Sequence, residues 1–443
     1  MENETKLSIY RAARTIKRKD NTLYNALRSI YEDSIFVGEI SQLWPQLPLV
    51  ANLRCGLWYS SKFQSTCYFK STDGHNNNWS FNTSRLNFHI ALLAGQKGGC
   101  IIIDSTRRGK RFPDSMSKTI PIWTCVLNRS ICNYLNKLCN DDASLVERES
   151  DAGHNSVDWD CSLHLPLWVS ETEKSAIEDR LEGWTKDLDA SGADIATLAS
   201  CLKKPLRPLW ISHKTVIWIN EVPDYDSWDF TPIILVSASS SSGVTQHRTT
   251  SEFSWNYIPG AGDDEESWAR GLSPNLFWNH AYDLISSGPD LCNQKVADIV
   301  EKDRVYRAQR GQNAPQITAK PSISGNSPHL PCLGPLLCSD LSNLKIISSD
   351  EGCGIFWLGS TNLALGSSQV GEDISVCVCL AILISLFDDE GSFDGGKSFS
   401  ETCITKCEMR RRLVYICKFA IKARPSRGNL KQVFSFLNSG KVT

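Results

Sequence analysis

Between residues 47 and about 128, short apolar runs alternate with polar turns, and this pattern limits the fold more than any other feature. The run that ends in "CIIIDSTRRGK" is one example, because an apolar stretch leads directly into a polar, basic one. Such alternation predicts a mixed sheet with helices, hence an α/β domain. Two later runs, "KTVIWIN" and "TPIILVSAS", predict two more strands.

The chain of 443 residues is too long for one ordinary core. Residues 308–335 are rich in Pro, Gly, Ser, Gln and Asn without an apolar period, which is typical of a linker. We therefore expect a large first domain at 1–307 and a smaller second domain at 336–443. In the second domain, residues 374–387 are apolar on every face, so they predict a buried helix, and two further helices are expected near the end.

Composition restricts the compartment and the partners. The net charge of −2 gives no global attraction to nucleic acid, so a basic site must be local. The 17 cysteines are odd in number and include no CxxC pair, which favours reduced thiols and a cytosolic or nuclear location, of which we expect the cytoplasmic one. No opening secretory signal is recognisable, and the longest apolar run is shorter than the roughly 20 residues of a membrane helix. We therefore expect a protein that does not enter the membrane.

A capping box and a short echo mark the middle of the first domain. Ser170 and Glu173 have capping-box spacing ahead of an apolar period, which predicts a helix. Just before it, "LPLWVS" at 165–170 is echoed by "RPLWIS" at 207–212. One echo does not make a repeat array, so it is either chance or two similar strands.

The most basic segment follows the run "CIII". It contains the candidate site residues Asp104, Ser105, Thr106, Arg107, Arg108, Gly109, Lys110 and Arg111. Ligands of α/β sheets bind where strands end, and arginine and lysine suit phosphate oxygens. Asp104 could accept hydrogen bonds from ribose hydroxyls or hold Mg²⁺. The alternative is a solvated basic turn.

Two further polar clusters surround glycines. The first contains Lys70, Ser71, Thr72, Asp73 and His75, of which Asp73 could orient His75 as a general base. The alternative is a plain Asp-Gly turn. In the second cluster, "PGAG" leads into four acids that begin with Asp263 and Asp264. These are candidate metal ligands, or else they favour the N-terminus of a following helix.

These segments, in this order, resemble the initiator tRNA 2′-O-ribosylphosphate transferases, the Rit1-type enzymes of fungi and plants. The matching segments are "FKSTDGH", "RLNFHIALLAG", "GGCIIIDSTRRGKRFPDSMSKTIPIW", "NYIPGAGDDEESWARGLSPNLFW", "GEDISVCVCLAIL" and "ARPSRGNLKQVF". They span nearly the whole chain, and the block from Gly98 to Trp123 is highly specific.

The resemblance implies a transferase that uses 5-phosphoribosyl-1-diphosphate with Mg²⁺. It would attach the sugar phosphate to the 2′-OH of a T-stem adenosine in initiator methionine tRNA and so keep that tRNA out of elongation. Asp73, His75 and Asp104 are then the expected catalytic residues, and Lys118 is expected to contact donor or tRNA phosphates. The alternative is a catalytically inert RNA-binding protein with the same fold. The oligomeric state stays open.

The second domain resembles the dual-specificity phosphatase fold. Matching Gly371 and Ser375 to that family's phosphate loop puts Ser368 at the catalytic cysteine and Ile374 at the arginine. Phosphatase chemistry needs both side chains, so we expect none. The domain is instead expected to position tRNA, with basic residues such as Arg410 to Arg412 on its surface.

Overall fold

The computed structural model describes residues 23–107, 109–143, 159–218, 221–241, 246–309, 374–388, 399, 403–419 and 425–438. The chain divides into two compact units. The first comprises Met1–Phe81, Ile90–Trp184 and Ala196–Gln316, and the second comprises Asn82–His89, Thr185–Ile195 and Ile317–Thr443. From residue 310 onward, the predicted linker lies outside the described residues.

A five-stranded parallel sheet forms the centre of the first unit. Its strands are β1 (Leu49–Asn52), β2 (Ser65–Cys67), β3 (Cys100–Asp104), β4 (Leu206–Ser212) and β5 (Thr231–Ser237), in the order β2-β1-β3-β5-β4. The inner strands β3 and β5 are buried along their whole length, which is why both are almost continuously apolar. The α/β class is confirmed, although the main sheet is parallel rather than mixed.

An antiparallel ribbon is separate from this sheet. Its strands are β6 (Gln246–Thr249) and β7 (Ser254–Tyr257).

The described helices up to residue 309 precede and follow the strands, and most of their residues belong to the first unit. They are α1 (Leu23–Leu43), α2 (Phe88–Lys97), α3 (Ile120–Ala143), α4 (Glu171–Ala190), α5 (Ile195–Cys201), α6 (Pro274–Asn279), α7 (Ala281–Ser286) and α8 (Gly288–Gln309). The predicted cap of α4 is confirmed, since the Glu173 N–H donates to Ser170 Oγ at 3.3 Å. Apolar side chains of α1 and α8 pack with Ile101, Ile103 and Ile234 in one core. None of the described helices is long and apolar enough to cross a bilayer.

One predicted strand does not form. The described part of "KTVIWIN", residues 214–218, leaves β4 in a turn, because the Thr215 N–H donates to the Ser212 carbonyl oxygen at 2.8 Å. The Ser212 N–H in turn donates to Thr215 Oγ1 at 3.0 Å. Val216 and Trp218 are consequently exposed rather than paired in the sheet.

The described C-terminal part of the second unit contains three helices: α9 (Ile374–Leu386), α10 (Lys406–Phe419) and α11 (Arg427–Leu437). Leu380, Leu413 and Leu437 belong to one core, so the buried helix and the two closing helices are confirmed. The predicted exposure of Arg412 is wrong, because this side chain is buried and donates to the Phe387 carbonyl oxygen at 3.2 Å. The counterpart of the phosphate loop, at 368–373, lies outside the described residues.

Candidate functional site

The carboxyl ends of β1 and β3 flank the strand-order reversal, where a parallel α/β sheet has its crevice. The chain passes from β1 to β2 on one side and then places β3 on the other side of β1, so the strand order reverses here. In parallel α/β sheets, ligands bind outside the strand ends at such a reversal. Asn52 and Asp104 end the two strands, and Asn52 Nδ2 donates to Asp104 Oδ2 at 2.8 Å.

Asp104 lies fully buried at the base of this crevice. Both carboxylate oxygens accept from protein donors, namely Cys55 Sγ (3.1 Å) and the Ser105 N–H (2.8 Å) at Oδ1, and Asn52 Nδ2 (2.8 Å), Arg54 Nε (3.1 Å) and Ser115 Oγ (2.7 Å) at Oδ2. Neither oxygen is therefore available to a ribose hydroxyl or to Mg²⁺, contrary to the role expected from the sequence. Asp104 instead holds Arg54 and the loop after β3 in place.

The basic loop after β3 meets the acidic segment at Asp263. Gly260 has φ 67°, and a side chain there would overlap the Thr106 carbonyl oxygen, so only glycine allows this approach. Arg107 pairs with Asp264 at 3.1 Å and with Asp263 at 3.6 Å. Arg54 Nη1 contacts Asp263 Oδ1 at 2.9 Å. Two clusters that are distant in sequence thus share ion pairs.

The cluster after β2 packs on the far end of the same loop. Residues Ser71–Gly74 form a 3-10 turn, and Thr119 Oγ1 donates to the Lys70 carbonyl oxygen at 2.9 Å. His75 Nε2 faces Asp114 Oδ2 at 3.6 Å. The carboxylate that faces His75 is therefore Asp114 and not the predicted Asp73. All three clusters of the sequence lie at this edge of the sheet.

Carboxylates neutralise several of the cations that the sequence predicted to bind phosphate. Arg54, Arg107 and Lys110 each pair with an aspartate. Lys118 is almost buried between Glu173 (2.8 Å) and Asp114 (3.6 Å).

Some cations of the described part of this edge, among them Lys70 and Arg111, have no carboxylate within ion-pair distance. Lys70 has its Nζ 5.6 Å from the centre of the Tyr68 ring, and Arg111 binds the hydroxyls of Ser212 (2.8 Å) and Thr215 (3.2 Å). Gly109 has φ 95° and faces open space, Thr72 is exposed, and Arg108 lies outside the described residues.

A buried polar network continues beneath the basic loop. Ser105 is fully buried and its Oγ donates to Ser239 Oγ at 2.7 Å, so this hydroxyl points into the interior and not toward a substrate. Ser239 in turn donates to Asp33, which also accepts from Tyr257 at 2.6 Å. Burial raises the pKa of Asp33 well above its usual value. Burial also lowers the pKa of His213, whose Nε2 lies 2.7 Å from the Ala238 carbonyl oxygen.

The acidic pair at the mouth of the crevice fits Mg²⁺ only in a limited way. Among the described residues, no group of three or more His, Cys, Asp or Glu side chains is placed to hold a metal ion. Burial raises the pKa of Asp263, while Arg54 opposes this. Mg²⁺ often takes one or two carboxylates together with substrate phosphates. Asp263 and Asp264 therefore fit an ion that arrives with a diphosphate rather than a resident one.

Four residues of the site were not predicted from the sequence. Asn52 and Arg54 end or follow the run "LPLVAN", so the rule applied to Asp104 would have found them. Asp114 and Glu173 do not follow a strand, so that rule would not have found them. The spacing of Glu173 indicated only a helix cap, and its contacts with Trp79 and Lys118 join distant segments of the chain.

Comparisons with known proteins agree with this organisation. Residues 16–301 match the family profile described as the Rit1 N-terminal domain, and residues 360–437 match the Rit1 DUSP-like domain. An uncharacterised protein of Schizosaccharomyces pombe is 36% identical over 282 residues, which cover 63% of this chain and 57% of that protein. The tRNA A64-2′-O-ribosylphosphate transferase of Saccharomyces cerevisiae is 34% identical over 296 residues, with 63% and 54% covered. The chain thus aligns with little more than half the length of these relatives. No solved structure shows a significant match.

Proposed function

Because the chain belongs to the Rit1 family, we propose that it is a tRNA-modifying transferase. It moves the 5-phosphoribosyl group of 5-phosphoribosyl-1-diphosphate to the 2′-OH of a T-stem adenosine in initiator methionine tRNA. The observation that carries this proposal is the meeting of three conspicuous clusters, around His75, Arg107 and Asp263, at one strand-order reversal. The printed name of the Saccharomyces cerevisiae relative supports the reaction class.

The donor phosphates bind at the cations around the crevice. Lys70 carries a charge that no described carboxylate neutralises, and Arg107 is 59% exposed, so it can exchange its acidic partners for phosphate oxygens. When Arg107 turns to the phosphates, Asp264 and the Asp263 oxygen that faces away from Arg54 would hold Mg²⁺, which would neutralise charge on a diphosphate leaving group. Asp104 has an indirect role, because its ion pair with Arg54 fixes that guanidinium beside Asp263.

The acceptor hydroxyl is activated at His75. This side chain is 51% exposed and its Nε2 faces Asp114, which leaves Nδ1 to take the 2′-hydroxyl proton. The 2′-oxygen then bonds to the anomeric carbon as the bond to the diphosphate oxygen breaks, and positive charge develops on the ribose in between. A positioned base of this kind contributes about 10²- to 10⁴-fold to the rate. Asp114 orients the ring and stabilises its protonated form.

The second unit supplies tRNA contacts rather than phosphatase chemistry. Arg410, Arg411 and Lys431 are exposed on α10 and α11, where they suit an RNA backbone. Arg412 is excluded from this surface by its burial.

A transfer assay tests the proposal. The purified full chain is incubated with labelled 5-phosphoribosyl-1-diphosphate, Mg²⁺ and unmodified initiator tRNA, with elongator methionine tRNA as the control. Label in the initiator tRNA alone supports the proposal. A folded protein that binds the tRNA but transfers no label would instead be the inert RNA-binding alternative, and the enzyme proposal would be wrong.

A further inference from the structure

The echoed sequences "LPLWVS" and "RPLWIS" adopt different structures but meet through their tryptophans. Residues 207–212 lie in β4, whereas 165–170 form a turn before α4. The rings of Trp168 and Trp210 are 6.3 Å apart in an edge-to-face arrangement. Trp168 also stacks on Phe112 with the ring centres 4.9 Å apart and an interplanar angle of 11°. The turn is therefore attached to Phe112, the residue that follows the basic segment.

Apolar surface at this turn is open to solvent. Trp168 is 48% exposed and Leu167 is fully exposed. The turn is nevertheless well held, because the Val169 N–H donates to the Pro166 carbonyl oxygen at 3.0 Å and Trp168 Nε1 donates to Ser117 Oγ at 3.4 Å. An exposed ring that is already fixed loses little conformational entropy when a ligand stacks on it.

A positive charge lies next to this exposed ring. The Arg111 guanidinium is 5.6 Å from the centre of the Phe112 ring and 5.8 Å from that of Trp168. Its hydrogen bonds go to the Ser212 and Thr215 hydroxyls, which do not neutralise it. Lys110, the adjacent cation, is by contrast paired with Asp114. Arg111 is thus a charged partner for an anion beside an aromatic surface.

We propose that Arg111, Phe112, Leu167 and Trp168 form an RNA-binding platform that takes one unpaired nucleotide. The base stacks on the exposed part of Trp168 against Leu167, and a flanking phosphate pairs with Arg111. A planar ring next to an uncompensated guanidinium matches a nucleotide, which has a π-face and an anion at this spacing. That the RNA is the acceptor tRNA rests on the proposed function.

The platform and Lys70 lie at the ends of different strands. Arg111 is tied to the end of β4 at one side of the sheet, whereas Lys70 follows β2 at the other side. Four strand spacings of about 4.8 Å place these strand ends roughly 19 Å apart. The loop after β3 connects the two regions, because Lys110 beside Arg111 pairs with Asp114, which faces His75.

Binding measurements on the full chain test the platform without requiring turnover. The dissociation constant for initiator tRNA is measured over a range of salt concentrations for the wild type, Trp168→Ala, Trp168→Phe and Arg111→Ala. Trp218→Ala is the matched control, because Trp218 is 70% exposed on the same unit and lines a cavity with Trp44 and Trp228 instead of stacking on Phe112.

We expect Trp168→Ala to weaken tRNA binding about 10-fold or more at every salt concentration, and Trp168→Phe to restore most of it. Arg111→Ala should lower the slope of log affinity against log salt by about one. Trp218→Ala should bind like the wild type. Unchanged tRNA affinity in Trp168→Ala would overturn the platform, and so would an equal loss of affinity for an acidic peptide. A failure of the proposed function is distinguishable, because tRNA would then bind through Trp168 without any transfer of label.

Discussion

Replacement of Asp104 by asparagine tests whether this residue organises the site or binds substrate. The carboxylate is fully buried and accepts from five donors, including the Arg54 guanidinium. An amide has the same shape but no charge, and its NH₂ group would face donors such as Asn52 Nδ2 or Ser115 Oγ. Asp104→Asn therefore removes a charged acceptor and leaves Arg54, whose side chain is 18% exposed, with Asp263 alone.

The expected loss of stability is large. Breaking a buried ion pair by removing one partner costs about 3–5 kcal/mol, and hydrogen bonds to a charged group contribute about 1.5–3 kcal/mol each. The two values describe the same contacts and are not added. We therefore expect the free energy of unfolding to fall by about 3–5 kcal/mol, which corresponds to a fall in Tm of roughly 10 °C for a unit of this size. Asp263→Asn is the matched control. It should cost about 1 kcal/mol or less, because the side chain is partly exposed and Arg54 keeps Asp104.

Thermal and urea unfolding of the two variants measure this difference, and donor binding is measured in parallel below the transition. We expect Asp104→Asn to unfold at a much lower temperature and a lower urea concentration than Asp263→Asn. A variant Asp104→Asn with wild-type stability and selectively weakened donor binding would refute the reasoning. Asp104 would then be the substrate ligand that its position after β3 suggested.

Four further substitutions test the chemistry and the electrostatics. His75→Gln should lower kcat about 10²- to 10⁴-fold in the transfer assay, whereas Asp114→Asn should lower it less, because the imidazole stays and only its orientation is lost; wild-type kcat in His75→Gln would exclude His75 as the base. Arg107→Ala should raise the KM for the donor with little change in tRNA affinity, and a change confined to the salt dependence of tRNA binding would assign Arg107 to RNA. Because burial lowers the pKa of His213, this residue stabilises the fold fully above its unfolded pKa of about 6.5, and that stability is lost as the pH falls. The free energy of unfolding should accordingly fall less below pH 6.5 in His213→Gln, as followed by urea titration at several pH values, and an identical pH dependence would contradict this.

Local rules of sequence explain why the strands and strand-end clusters were predictable. The runs that became β3 and β5 are apolar because both faces of an inner parallel strand are covered, and Asp104 is the polar residue that ends β3 at the carboxyl edge of the sheet. Ser170 caps α4 as its spacing with Glu173 predicts. Each of these features depends on contacts within a few residues.

The partners of the site residues depended on long-range contacts and were not predictable in this way. His75 faces Asp114 and not its neighbour Asp73, since the turn after β2 packs on the loop after β3. The same packing buries Lys118 against Glu173. No periodicity of the sequence encodes which carboxylate neutralises which cation. The sequence alone therefore overestimates how many cations of the basic loop are available to bind phosphate.

Analysis of the modified nucleoside tests the central claim most directly. Initiator tRNA is incubated with the full chain, 5-phosphoribosyl-1-diphosphate and Mg²⁺, then digested with nucleases, and the products are identified by mass spectrometry. We predict a single adenosine of the T stem that carries one phosphoribosyl group on its 2′-oxygen, and none when the donor is omitted. An unmodified T stem after incubation with folded, tRNA-binding protein would contradict the account.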